Sequence, residues 1–107
     1  MPDELILVGA SGLAKEMAHL ARSVDPAGKR WSRFAYVGAE AADLGRELLH
    51  GRVEYLDSDL LARPTPADVV IAVGSPALRQ KLVTELQANP VLRFPNLIHP
   101  SVEIDRS

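Results

Sequence analysis

The 107-residue chain has no cysteine, which excludes disulfide scaffolds, thiolate metal centres and cysteine nucleophiles together. Aromatic residues are scarce, at 5%, and charge of one sign is nowhere concentrated: twelve Lys and Arg face fourteen Asp and Glu, for a formal net charge of −2. A nucleic-acid surface needs a basic face, so nucleic acid is not an expected partner, and Lys29, Arg30 and Arg33 read as solvated loop. Long hydrophobic runs are also missing. Leu5-Ile6-Leu7-Val8 spans four residues behind acidic Asp3-Glu4, too short for a signal segment or a membrane span. No membrane contact is expected, and the cytoplasm is the expected location. His19, His50 and His99 lack metal-ligand spacing and no carboxylate pair is set for acid–base work, so neither a metal site nor a catalytic residue is assigned.

What is present fits one small globular domain with a modest core, 47% of the residues being hydrophobic. Its organising stretch is Glu4 to Glu16. An unbroken apolar run, Leu5 to Val8, turns through Gly9-Ala10-Ser11-Gly12 into a pattern of Leu13, Met17, Leu20 and Val24, widened by Ala14, Ala18 and Ala21. This reads as buried strand, tight corner, amphipathic helix, with Ser11 at the cap position and Asp25-Pro26-Ala27-Gly28 as the stop. Such a corner leaves backbone N–H groups free at the positive end of a helix, a seat for phosphate or pyrophosphate.

Phe34 to Val37 reads as a second strand ended by Gly38. Ala39 to Leu49 has weak helical character, Val53 to Leu56 reads as a short strand, and Asp57-Ser58-Asp59 as a turn before a short helix at Leu60 and Leu61. Asp68 to Val73 is the clearest buried strand, and it ends in Gly74-Ser75-Pro76, where Ser75 caps and Pro76 opens a helix whose apolar face is Leu78, Leu82 and Leu86. Leu92 to Ile98 adds an outer strand, and His99-Pro100 turns the chain. The alternation predicts a small Rossmann-like, three-layer α/β domain with a parallel sheet of about four strands. Right-handed crossovers place the first strand between the second and the Asp68–Val73 strand. Ligands of such sheets bind beyond the carboxyl ends of the strands, so the expected ligand-binding residues are Gly9, Ala10, Ser11, Gly12, Lys15, Gly74 and Ser75.

The dinucleotide fingerprint meets Gly9, Ser11 and Ala14 here, and the acid that grips an adenosine ribose is missing after Val37, where Gly38 and Ala39 follow and Glu40 is the nearest candidate. That pattern counts against NAD. A bland alternative is that Gly9 and Gly12 only permit a tight turn, and a solvated Lys15 is the alternative to a phosphate contact. A nucleophile elbow would need glycine where Leu13 stands.

Three segments carry a family resemblance: Leu5 to Glu16, Val70-Ile71-Ala72-Val73-Gly74-Ser75-Pro76-Ala77-Leu78-Arg79-Gln80-Lys81-Leu82, and Phe94-Pro95-Asn96-Leu97-Ile98-His99-Pro100-Ser101. Together they resemble the N-terminal domain of the PglD/NeuD-type sugar acetyltransferases. The resemblance implies a Rossmann-like domain, residues 1–100, that binds a nucleotide sugar of the UDP-amino-sugar type, and a stub, residues 101–107, similar to the start of a left-handed β-helix of hexapeptide repeats. In the family that helix forms the trimer, binds acetyl-CoA and carries the catalytic histidine. His99 belongs to the linker motif and does not take that role. The implied function is acceptor binding without catalysis by this chain alone. No cofactor is expected in it, acetyl-CoA belongs to the missing domain, and a monomer is compatible with the chain by itself. The family's adjacent loop glycines are Ser11-Gly12 here, and its acid after the second strand is Gly38-Ala39. The alternatives are a free-standing nucleotide- or dinucleotide-sensing module and a domain kept for assembly.

Overall fold

An apolar stretch without polar alternation is stable as a strand only where both faces are covered. In the computed structural model, which describes residues 3–9, 12–38, 40–94, 98–99 and 102–103, that stretch is β1 (Glu4–Val8), and all five of its residues are buried. The other strands are β2 (Arg33–Gly38), β3 (Glu47–Leu48), β4 (Gly51–Leu56), β5 (Ala67–Ile71) and β6 (Leu92–Arg93), and the helices are α1 (Gly12–Val24), α2 (Asp57–Leu61) and α3 (Pro76–Leu86). One sheet runs in the order β3-β4-β2-β1-β5-β6. Every neighbouring pair is parallel except β3 with β4. A separate antiparallel pair, β7 (Ile98–His99) with β8 (Val102–Glu103), lies outside it.

The expected placement of β1 between the second strand and β5 is what the sheet shows, with Val8 opposite Val37 on one side and Ile71 on the other. The strand count is higher than the expected four. Among the described residues the addition is the two-residue strand β3, too short to leave a hydrophobic pattern and formed by pairing at the sheet's edge, while the outer strand expected over 92–98 is present as β6 but stops at Arg93, Ile98 belonging to the separate β7–β8 pair.

Successive β1 side chains alternate between two cores. Leu5 and Leu7 pack with Ala14, Met17, Ala18 and Ala21 of α1 and with Trp31, Phe34 and Tyr36. Ile6 and Val8 pack with Leu60 of α2, Leu86 of α3, Val69 and Ile71. The result is three layers, helices on both faces of the sheet, and each large apolar side chain so covered contributes roughly 1.5–3 kcal/mol.

Within α1 the buried face is centred on the alanines, while Leu13 and Leu20 are half-buried and Val24 is 38% exposed. Three small residues let the helix axis approach the sheet more closely than a leucine-centred stripe would. On α3, Leu86 is buried but Leu78 stays 44% exposed. β6 pairs only with Ala67 and Asp68, at the start of β5, so no sixth strand extends under the first turn of α3. The weakly helical segment after β2 forms a single 3-10 turn, Ala41–Asp43, followed by the β3–β4 hairpin with His50 at φ 66°.

Candidate functional site

The first corner leaves β1 between the ends of its two neighbours. The Gly9 N–H donates to the Val37 carbonyl at 3.3 Å, and the Ala72 N–H donates to the Val8 carbonyl at 2.9 Å. Gly9 has φ +127°, and a Cβ placed on it would lie 2.7 Å from the Ala72 carbonyl oxygen. Backbone here passes so close to backbone that only glycine fits. With its own amide spent on Val37, Gly9 shapes the corner.

Ala10 and Ser11, two of the expected ligand residues, lie outside the described residues. Gly12 begins α1 outside the left-handed region, and among the described residues nothing stands within 4 Å of where its Cβ would be. It faces open space at a helix start whose first N–H groups have no intrahelical acceptor. No acidic side chain occupies the first turn of α1. Lys15 is exposed in that turn and has no ion-pair partner among the described residues.

The second corner follows β5. Ser75 caps α3 as expected, its Oγ accepting from the Leu78 N–H at 3.2 Å with Pro76 at the helix start. The hydroxyl proton remains available to donate outward. Gly74 is exposed, and among the described residues nothing stands within 4 Å of its Cβ position. Because Val8 and Ile71 are register partners, the two corners sit side by side. From there α1 leads to β2 on one side and α3 leads to β6 on the other. This is the point where the sheet reverses its winding, the place at which open α/β sheets in general take their ligands.

One functional candidate escaped sequence reasoning. A Cβ on Gly38, the last residue of β2, would lie 2.7 Å from Asp43 Cβ and 3.3 Å from its Oδ2. Asp43, from the turn after β2, thus brings a carboxylate to the strand end that has no side chain of its own. No spacing rule links a strand-final glycine to an acid five residues on, so the signal was a three-dimensional one.

The other charged cluster lies at the opposite, amino ends of the strands. Glu4 is buried there, its carboxylate accepting from Tyr55 Oη at 2.8 Å, Arg33 Nε at 3.3 Å and Arg63 Nη2 at 2.5 Å, and Arg33 also pairs with Glu54. A cavity of about 710 Å³ opens beside it, bordered by Arg63, Pro66, Pro90 and Val91. Glu4 already has three donors, so this end of the sheet is a clamp among β1, β2, β4 and the segment after α2.

The family model described as the PglD N-terminal domain matches residues 4–86, from the first residue of β1 to the last of α3. No curated protein gives a significant match to the chain.

Proposed function

Because the chain belongs to the PglD N-terminal domain family, we propose that it is the acceptor-binding domain of a PglD-like sugar acetyltransferase, holding a nucleotide sugar of the UDP-amino-sugar type. On this reading acetyl-CoA and the catalytic histidine belong to a hexapeptide-repeat domain, and these 107 residues bind the acceptor without turning it over. The observation that carries the proposal is the pair of adjacent corners at the reversal point of the sheet, one opening α1 at Gly12 and the other opening α3 at Ser75. The N–H groups of the first turn of α1 take the diphosphate, whose charge the helix dipole and Lys15 offset. Gly12 lets the phosphate reach the backbone. Across the crevice, Gly74 leaves room for the sugar and the Ser75 hydroxyl donates to it.

The rival reading, a dinucleotide sensor, gains from Asp43, since a carboxylate beside the end of β2 suits an adenosine ribose as well. The preference for a UDP-sugar therefore rests on family membership. Calorimetric titration with UDP-GlcNAc, UDP and NAD separates the two, with tighter binding of the UDP ligands expected. Gly12→Val should weaken UDP-GlcNAc binding at least tenfold, a loss of roughly 1.4 kcal/mol or more, and because Gly12 needs no left-handed φ the variant should stay folded. Preference for NAD would favour the sensor, and a folded valine variant that binds like the parent would move the site away from this corner.

A further inference from the structure

We infer that Asp43 reads the ribose of the bound nucleotide, accepting a hydrogen bond from its 2′-hydroxyl; this rests on the nucleotide-binding reading of the β1–α1 corner given above. Where an open parallel sheet holds a nucleotide diphosphate at its first corner, the ribose lies over the end of the adjacent strand, and a carboxylate there takes its hydroxyls. That adjacent strand is β2, and it ends in Gly38. Its side-chain volume is not empty. Asp43 and Val53 share it, with Asp43 Cβ 2.7 Å, Val53 Cγ1 2.9 Å and Asp43 Oδ2 3.3 Å from the position a Gly38 Cβ would take.

The corner and this carboxylate are also tied together through the backbone. Gly9 donates to the carbonyl of Val37, and Gly38 is the next residue, so the loop that leads to Gly12 and the glycine that accommodates Asp43 are one peptide unit apart at that bond. Asp43 is held to the sheet as well. Its Oδ2 accepts from the Glu40 N–H at 3.2 Å, its Oδ1 lies 3.9 Å from Arg46 Nη1, and the segment behind it is anchored by Gly45 N–H to Val53 carbonyl at 2.8 Å and Val53 N–H to Arg46 carbonyl at 2.9 Å. An ionised carboxylate has about four acceptor positions. The side chain is 30% exposed, so positions remain open on a group whose orientation is already set. Binding then needs little further ordering of the protein.

A purely structural Asp43 would do no more than cap the Glu40 amide, a task asparagine also performs, and face Arg46 in an exposed ion pair, and neither contact discriminates UDP from 2′-deoxy-UDP. Calorimetry with UDP and 2′-deoxy-UDP, on the parent and on Asp43→Asn, distinguishes the two roles, with UDP-GlcNAc as the probe of the corner itself. The parent should bind UDP about tenfold more tightly than 2′-deoxy-UDP, the usual scale for a hydrogen bond to a charged group. In Asp43→Asn the ratio should fall to about twofold or less, with the melting temperature little changed. Equal affinity of the parent for the two ligands, or an unchanged ratio in the variant, overturns the assignment to Asp43 while leaving UDP-GlcNAc binding at the corner intact. Failure of the parent to bind UDP-GlcNAc and UDP at all overturns the corner reading and this one with it. The comparison on the parent needs no variant, so the assignment is testable even if Asp43→Asn does not fold.

Discussion

The indole Nε1–H of Trp31 donates to the Asp68 carboxylate at 2.7 Å, both side chains being buried, and so ties the loop ahead of β2 to the start of β5. The indole is presented by Asp25, whose carboxylate accepts from the N–H groups of Lys29, Arg30 and Trp31 at 2.9–3.0 Å. Those bonds, the one from Trp31 foremost, hold the Asp25 carboxyl below its ordinary range. Arg30 lies over the Trp31 ring at 4.4 Å and reaches within 4.0 Å of Asp68.

Trp31→Phe should destabilise the domain by about 2 kcal/mol, because it leaves Asp68 without its buried donor. Urea unfolding checks this. Asp68→Asn, which keeps an acceptor, should cost less in the parent and should recover part of the loss in the Trp31→Phe background. Strict additivity of the two substitutions would show that the bond contributes nothing.

Gly9→Ala should destabilise by about 2 kcal/mol or more, since the new Cβ would stand 2.7 Å from the Ala72 carbonyl oxygen at a φ of +127°. Gly12→Ala and Gly74→Ala place their Cβ in open space and should leave unfolding midpoints close to the parent's. The contrast separates the glycine that builds the corner from those that keep it open.

Lys15→Gln should weaken UDP-GlcNAc binding a few-fold at low salt and flatten its dependence on ionic strength, as expected for an exposed cation facing a diphosphate. Titrations at two salt concentrations measure both effects. An unchanged salt dependence would make Lys15 a solvated surface residue.

Tyr36 gives a pH signature. Burial pushes its phenol up to about 12 from an ordinary value near 10, and its Oη donates to the Leu49 carbonyl at 2.6 Å. The unfolded chain ionises first, so this stabilisation is complete below about pH 10 and is lost as pH rises toward 12. The loss is on the order of 2 kcal/mol. Chemical denaturation across that range should show the decline in the parent and a shallower one in Tyr36→Phe.

Legibility in the sequence followed how local the causes were. β1, β5 and the Ser75–Pro76 helix start are written in adjacent residues: an apolar run, a glycine, a cap, a proline. The segment after Gly38 is not, because its shape comes from pairing with β4, as in Gly45 with Val53 and Glu47 with Arg52. His50 turns the hairpin at φ 66°, where a sequence reader looks for glycine or asparagine. Glu4 read as an acidic flank and is instead a buried strand residue, satisfied by partners from three other segments, Arg33, Tyr55 and Arg63. Asp43 was illegible for the same reason: its partner, Gly38, is defined by what it lacks.

The position of β1 also has a meaning in time. A ribosome delivers β1, α1, β2 and β4 well before β5, so during synthesis one edge of the most apolar strand, Leu5 to Val8, stands unpaired until Ala67–Ile71 emerges to take its register beside it. An open, uncharged parallel edge is a template for any other extended chain. Nascent or truncated chains that end before β5 should therefore be the aggregation-prone species of this domain, and a chaperone that holds the amino-terminal half would act on that single interval.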